Sequence, residues 1–140
     1  MQEFHALASY YAGALWVAEE QGTIVGMIAT RPDPGAVGTW EICRVYVHPD
    51  RHGSGLGHAL LDIAEAHAMA GGAQRLFLWS DTRFTRAHRF YEKRTYQRVG
   101  EVRALHDLSH SHEFCFEKAT ARRGALPPWS ALRGPSPTKG

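Results

Sequence analysis

The spacing of hydrophobic and polar positions changes several times along this chain, and each change marks an element. Leu15–Glu20 (LWVAEE) and Thr23–Arg31 (TIVGMIATR) are rich in apolar and β-branched residues and are separated only by Gln21-Gly22, a connection that predicts an antiparallel hairpin. Turn residues fill Pro32–Gly38 (PDPGAVG), and Thr39–Val47 (TWEICRVYV) then predicts a third strand. Its alternation puts Glu41, Cys43, Val45 and Val47 on one face. Past a glycine-containing loop the period becomes helical, with Leu60, Ile63, Ala64 and His67 or Ala68 facing inward and His58, Asp62 and Glu65 outward. Gly71-Gly72 supplies the stop. Arg75–Asp81 (RLFLWSD) reads as a buried strand, and the strand–helix–strand order implies a right-handed parallel crossover. A second helix is expected over Thr85–Arg94, with Ala87, Phe90 and Tyr91 on one side and Arg86, Arg89 and Lys93 on the other. Gln97–Leu105 and His112–Lys118 predict two closing strands joined by HDLSHS. At the front, Phe4, Leu7 and Tyr11 fall at helical spacing and predict a short amphipathic stretch, so the first strand is expected only at Leu15.

The segment Ala119–Gly140 loses this periodicity and is rich in Pro, Gly and Ser. It predicts a flexible tail behind a single domain over residues 1–118. With 140 residues, 44% of them hydrophobic and 21% charged, the chain has enough apolar material for one core and no room for a second domain. No apolar run approaches the roughly 18 residues of a membrane span, and Met1–Tyr11 lacks a charged-then-apolar leader, so a cytoplasmic protein without a membrane partner is expected. A net charge of +2 gives no reason to expect a nucleic-acid partner. Cys43 and Cys115 lie in alternating apolar contexts without metal-type spacing and read as reduced, packed thiols. His106, His110 and His112 form no compact tetrahedral set, so no metal site is expected; Asp107 and Ser109 read as turn formers.

Chemistry concentrates in Glu41–Ala70, where a strand gives way to Gly53, Gly55 and Gly57 and then to a helix. Glycines there allow the backbone to turn its N–H groups toward a ligand, and the helix start adds roughly half a positive charge, so the expected ligand is an anion. A Walker-type loop is excluded because His58 and Ala59 follow Gly57 where Lys and Ser/Thr are needed. A dinucleotide fingerprint is a closer rival, with Asp81 ending the next strand. Its third glycine falls one residue early, and the five residues between Val47 and Gly53, including Pro49, replace a tight turn. A loop that merely turns the chain is the remaining reading.

The run VYVHPDRHGSGLGHALL resembles motif A of the GNAT superfamily of N-acetyltransferases, and the later run RAHRFYEKRTY resembles that family's second aromatic motif. The resemblance covers about Leu15–Lys118. It implies an α/β (α+β) fold with a mixed central sheet split like a V between the strands holding Val45 and Phe77, with acetyl-CoA as co-substrate in the split. By the same resemblance, the backbone of Val45 and Val47 pairs with the pantetheine arm, and the amides of His52, Gly53, Ser54, Gly55, Leu56, Gly57 and His58 cradle the pyrophosphate. The Arg86, Arg89, Lys93 stripe has two readings, a site for the ribose 3′-phosphate through Lys93 or an ordinary solvated helix face. Transfer to an amine needs a neutral nucleophile and a proton for the departing thiolate. Tyr91 stands where the family places its general acid, against the alternative that it packs beside Phe90. Glu41, a carboxylate in an apolar strand, is the candidate base, against the alternative of a solvated side chain.

Departures from the family pattern are also visible. His52 replaces the usual Arg or Gln, Phe84 stands where many members have Asn, and Thr95 replaces the Gly before Tyr96. The usual first strand and helix ahead of Leu15 are expected to be lacking. A late start, a degenerate domain or a homodimer in which the second copy completes the acceptor wall would account for this. The function implied is acetyl transfer from acetyl-CoA to a primary amine of a small molecule or peptide, by direct transfer in a ternary complex. Its rival is a non-catalytic acyl-CoA-binding or interaction domain of the same fold.

Overall fold

The computed structural model describes residues 2–8 and 13–120. The tail expected over Ala119–Gly140 lies almost wholly outside the described residues, as does Tyr11. Seven strands and two helices follow in the order β1 (Gln2–Ala8), β2 (Ala14–Glu20), β3 (Thr23–Pro32), β4 (Thr39–Val47), α1 (Leu56–Ala70), β5 (Arg75–Asp81), α2 (Thr85–Lys93), β6 (Gln97–Ala104) and β7 (His112–Ala119). They build one mixed sheet of order β1-β2-β3-β4-β5-β7-β6. Gln21 and Gly22 both take positive φ, 50° and 82°, the backbone that a two-residue hairpin between β2 and β3 requires. No helix among the described residues is long and apolar enough to cross a membrane.

The N-terminal expectation is corrected. Gln2–Ala8 is a strand, paired antiparallel with β2 from Gln2↔Glu20 to Ala8↔Leu15, so the sheet gains the strand that the sequence reading left out. Phe4, Leu7 and Tyr11 have helical spacing, but QEFHALA also alternates, and an available sheet edge decides in favour of pairing.

Both helices pack on the same face of the sheet. Leu56, Leu60, Leu61, Ala64 and Ala68 of α1 share one core with Ile28, Ile42, Leu76, Leu78, Tyr91, Tyr96 and Phe116. Each fully buried large side chain there contributes about 1.5–3 kcal/mol. A Cβ on Gly26 would stand 2.8 Å from Leu60 Cδ1, so glycine lets α1 lie close on β3. Glu65, expected to face solvent, is instead 93% buried, with 7% of its surface exposed. It accepts hydrogen bonds from Tyr96 Oη at 2.7 Å, Lys118 Nζ at 3.0 Å and an Arg94 guanidinium nitrogen at 2.9 Å. A helical period sees only the hydrophobicity of Glu65; the donors that compensate its burial come from residues far along the chain.

Two irregularities shape β4. Ala29 pairs with Cys43 and Met27 with Tyr46, so Arg44 and Val45 together oppose Ile28 in a β-bulge, with Arg44 at φ 53°. The bulge reverses the alternation. Ile42 and Val47, paired with Thr30 and Gly26, both lie on the helix-bearing face, whereas Glu41 and Cys43 lie on the other. The expectation that Glu41, Cys43, Val45 and Val47 share one face is therefore wrong, because strict alternation cannot register an inserted residue. The second irregularity is that β4 and β5 pair in parallel only over Thr39↔Arg75, Trp40↔Leu76 and Glu41↔Phe77. Beyond Glu41 and Phe77 the two strands diverge, giving the V-shaped split that the resemblance implied.

Candidate active site

The split opens toward the C-terminal ends of two parallel strands, the end at which open α/β sheets place their ligands. The connection from β4 to α1 closes that end. Pro49–Arg51 forms a single 3₁₀ turn, and α1 begins after Gly55, whose φ is 90°. Within this loop the amides of Arg51, His52 and Ser54 donate to the carbonyls of His48, Pro49 and Arg51, and Leu56 N donates to Ser54 Oγ at 3.3 Å. The amides of Gly53, Gly55, Gly57 and His58 have no acceptor among the described residues. Of the His52–His58 set, these four remain available to a ligand. Gly53 and Gly55 take φ of 81° and 90°, and a Cβ at either would meet open space. Their glycine requirement is one of backbone conformation, with the open side left to a ligand. The 15-residue helix behind them adds the positive end of its dipole.

The side chains around the loop are spent on holding it. His52 Nε2 lies 3.2 Å from Val47 O, so the ring turns back on the end of β4. Ser54 Oγ donates to Arg51 O at 2.5 Å. Arg51 reaches across to Glu20, with Nε at 2.8 Å, and the guanidinium's hydrogen bonds hold the Glu20 carboxyl below its ordinary range. Phe90 of α2 stacks tilted against His58, with centroids 4.7 Å apart, and its ring edge would stand 3.2 Å from a Cβ on Gly57. Gly57 is thus the point at which α1 and α2 come together. Phe90 escaped sequence reasoning except as a packing residue, because only the three-dimensional juxtaposition links it to the loop.

Tyr91 lies on the helix-bearing face and is 94% buried, with 6% exposed, between Phe90, Tyr96 and Phe116 at ring-centroid distances of 5.5, 6.1 and 5.8 Å. Burial disfavours the phenolate and pushes the Tyr91 hydroxyl up to about 12. No protein group among the described residues hydrogen-bonds that hydroxyl. A buried phenol without a partner costs on the order of 1–3 kcal/mol unless something else completes it.

Glu41 is not gathered with these groups. It sits at the vertex of the split on the helix-free face, where its Oε1 accepts from Arg31 Nε at 3.2 Å and from a terminal Arg31 nitrogen at 3.0 Å. Thr30 Oγ1 donates to its carbonyl at 2.8 Å. Sequence reasoning missed Arg31, whose position at the end of β3 only the strand register reveals. At the end of β5, Asp81 accepts from Arg83 N at 2.8 Å and Nε at 2.9 Å, and the Arg83 side chain holds its carboxyl down to about 2. His88 Nε2 lies 2.9 Å from Asp81 O and ties α2 to β5. Arg86, Arg89 and Lys93 are exposed on α2 and have no ion-pair partner among the described residues. In the β6–β7 connection, Asp107 Oδ1 accepts from Ser111 N at 2.9 Å, the turn-forming role expected of it.

Residues 1–96 match the Acetyltransferase (GNAT) family, and the chain belongs to that family. A mycothiol acetyltransferase from Thermobispora bispora is 36% identical over 81 residues, which is 55% of this chain but 28% of that relative. Among solved structures, nourseothricin acetyltransferase superposes with a TM-score of 0.70 at 19% identity, covering 78% of this chain and 66% of that one. A GNAT acetyltransferase from Elizabethkingia anophelis, solved with acetyl-CoA bound, gives 0.67 at 14% identity, covering 84% and 97%. At such identities the structural likeness establishes the fold.

Proposed function

We propose that this chain is an acetyl-CoA-dependent N-acetyltransferase that moves the acetyl group directly to a primary amine of a small molecule in a ternary complex. The carrying observation is the set of four amides, Gly53, Gly55, Gly57 and His58, that have no acceptor among the described residues at the mouth of the β4–β5 split. Pyrophosphate needs convergent N–H donors and a close backbone, and this loop supplies both. The backbone of β4 at Val45 and the N–H of Val47, on the side turned away from β3, serve the amides of the pantetheine arm, and Lys93 with Arg86 and Arg89 offers positive charge to the 3′-phosphate. His52, turned toward Val47, supports the loop through its ring.

In this reading the amine lone pair attacks the thioester carbonyl carbon, the adduct collapses with cleavage of the C–S bond, and Tyr91 donates its proton to the departing sulfur. A phenol held neutral by burial retains that proton until a thiolate develops. Glu41 serves as the base from the opposite face, taking the amine's proton through water. Its ion pair with Arg31 holds the carboxylate at the vertex of the split, where it also attracts a cationic amine. The two proton transfers are thus assigned to opposite faces of the sheet, with the split between them.

The test is thiol release from acetyl-CoA across a panel of amines that includes polyamines and lysine peptides. At least one amine is expected to accelerate release. Tyr91→Phe should then lower kcat about a hundredfold while leaving acetyl-CoA affinity within about twofold. Binding of acetyl-CoA with no amine-dependent release from any acceptor favours the non-catalytic acyl-CoA-binding domain instead.

A further inference from the structure

The geometry points to Ser80 as a substrate-contacting residue whose hydroxyl donates a hydrogen bond to the thioester carbonyl oxygen in the β4–β5 split. This rests on the acyl-transfer reading above. Ser80 belongs to β5, three residues past the last residue of that strand paired with β4. At about 3.3 Å per residue it stands roughly 10 Å along the open part of the split. Extending the register of Glu41↔Phe77 brings it level with Arg44 and Val45, the bulge of β4. Leu76, Leu78 and Ser80 alternate as the buried positions of β5, so Ser80 faces the helices, as Tyr91 does.

Ser80 is 93% buried, with 7% exposed. Its cross-strand partner is Phe114, and the His88 ring that lies against Phe114 is engaged with the Asp81 carbonyl. The Ser80 hydroxyl itself has no hydrogen-bond partner among the described residues. A strand position packed between Leu78 and Phe114 would be filled at lower cost by Ala or Val, because a buried hydroxyl without a partner loses its hydration uncompensated. At Ser80, β5 is paired with β7 on one side, and on the other it borders the split, beyond its last pair with β4. A donor there meets the carbonyl oxygen on which negative charge grows as the amine adds. The C=O π pair moves to oxygen, returns as the C–S bond breaks, and Ser80 keeps its proton throughout. Donors placed at a developing oxyanion contribute about 10²–10³ in kcat.

Acetyl-CoA labelled with ¹³C at the acetyl carbonyl reads this contact without knowledge of the acceptor. Bound to the wild-type chain, the carbonyl resonance should move downfield and its infrared stretch to lower frequency; in Ser80→Ala both shifts should shrink while affinity stays within about threefold. With an amine found in the release assay, Ser80→Ala should lower kcat at least tenfold with KM for acetyl-CoA little changed, and Ser80→Thr should recover part of the loss. Thermal stability of Ser80→Ala should equal or exceed that of wild type. Identical carbonyl signals in wild type and Ser80→Ala, with bound acetyl-CoA, overturn the role of Ser80 and leave the acetyltransferase reading standing. A wild-type chain that does not bind acetyl-CoA overturns both.

Discussion

Removing the carboxylate of Glu65 is the perturbation whose cost the structure specifies most fully. Its two oxygens accept from Arg94, Tyr96 and Lys118, and these three residues stand at the end of α2, the start of β6 and the end of β7. In Glu65→Ala, Arg94 keeps Asp62 at 2.8 Å and Lys118 keeps the Arg94 carbonyl at 2.9 Å. The hydroxyl of Tyr96, a residue only 2% exposed, keeps no partner among the described residues. An unsatisfied buried hydroxyl costs about 1–3 kcal/mol, and an ammonium left without its counter-charge at 19% exposure adds to it. The sum falls near the lower end of the roughly 3–5 kcal/mol lost when a buried ion pair is broken. For a domain of this size, 3 kcal/mol corresponds to a fall in Tm of about 10 °C. Glu65→Gln, which retains an acceptor, should lose about 2 kcal/mol. Urea denaturation followed by circular dichroism measures both, and Lys118→Met should cost clearly less in the Glu65→Ala background than in wild type. A Glu65→Ala variant within about 1 kcal/mol of wild type would refute the claim that this carboxylate joins α1 to β6 and β7.

Other consequences are open to direct measurement. Tyr91 has an ordinary pKa of 10.0 that burial raises to about 12; the unfolded chain therefore releases this proton first. The stability linked to it is complete below pH 10 and declines between pH 10 and 12, by about 3 kcal/mol in total. Tyr91→Phe should flatten that part of the pH–stability curve, leaving the contribution of Tyr96, whose hydroxyl is shifted up in the same direction chiefly by burial. Gly55→Ala meets no neighbour within 4 Å but must hold φ at 90°. It should lose about 1–2 kcal/mol of stability and weaken acetyl-CoA binding about tenfold; unchanged binding would detach this loop from the ligand. Glu41→Gln should leave the fold intact and lower kcat at least tenfold, with acetyl-CoA affinity within about threefold; an unchanged kcat would remove Glu41 from the mechanism.

Much of the architecture was legible in the chain because local signals agreed with tertiary ones. The hairpin at Gln21-Gly22, the crossover from β4 through α1 to β5 and the stop at Gly71-Gly72 all carry their own turn or cap chemistry. Three features did not announce themselves, each for a physical reason. Gln2–Ala8 is short and its pattern fits two periods, so only the edge of β2 makes it a strand. The bulge at Arg44-Val45 is an insertion in pairing, visible only against Ile28 on the neighbouring strand. Glu65 is polar by identity and buried by virtue of Tyr96, Arg94 and Lys118, which lie 29 to 53 residues away. In the candidate site, spacing singles out the loop glycines and the later motif singles out Tyr91 as candidates. The Arg31–Glu41 pair, the Phe90 contact at Gly57 and the buried hydroxyl of Ser80 required the folded sheet.

In the proposed function, the four amides before α1 that lack an acceptor among the described residues and the split beyond Glu41 and Phe77 together hold acetyl-CoA. Calorimetric titration of the chain with acetyl-CoA, with NAD as the competing dinucleotide, tests it most directly. Saturable one-to-one binding of acetyl-CoA in the micromolar range, with NAD binding at least a hundredfold weaker, is the predicted result. Absence of binding at millimolar acetyl-CoA, or preference for NAD, would contradict it.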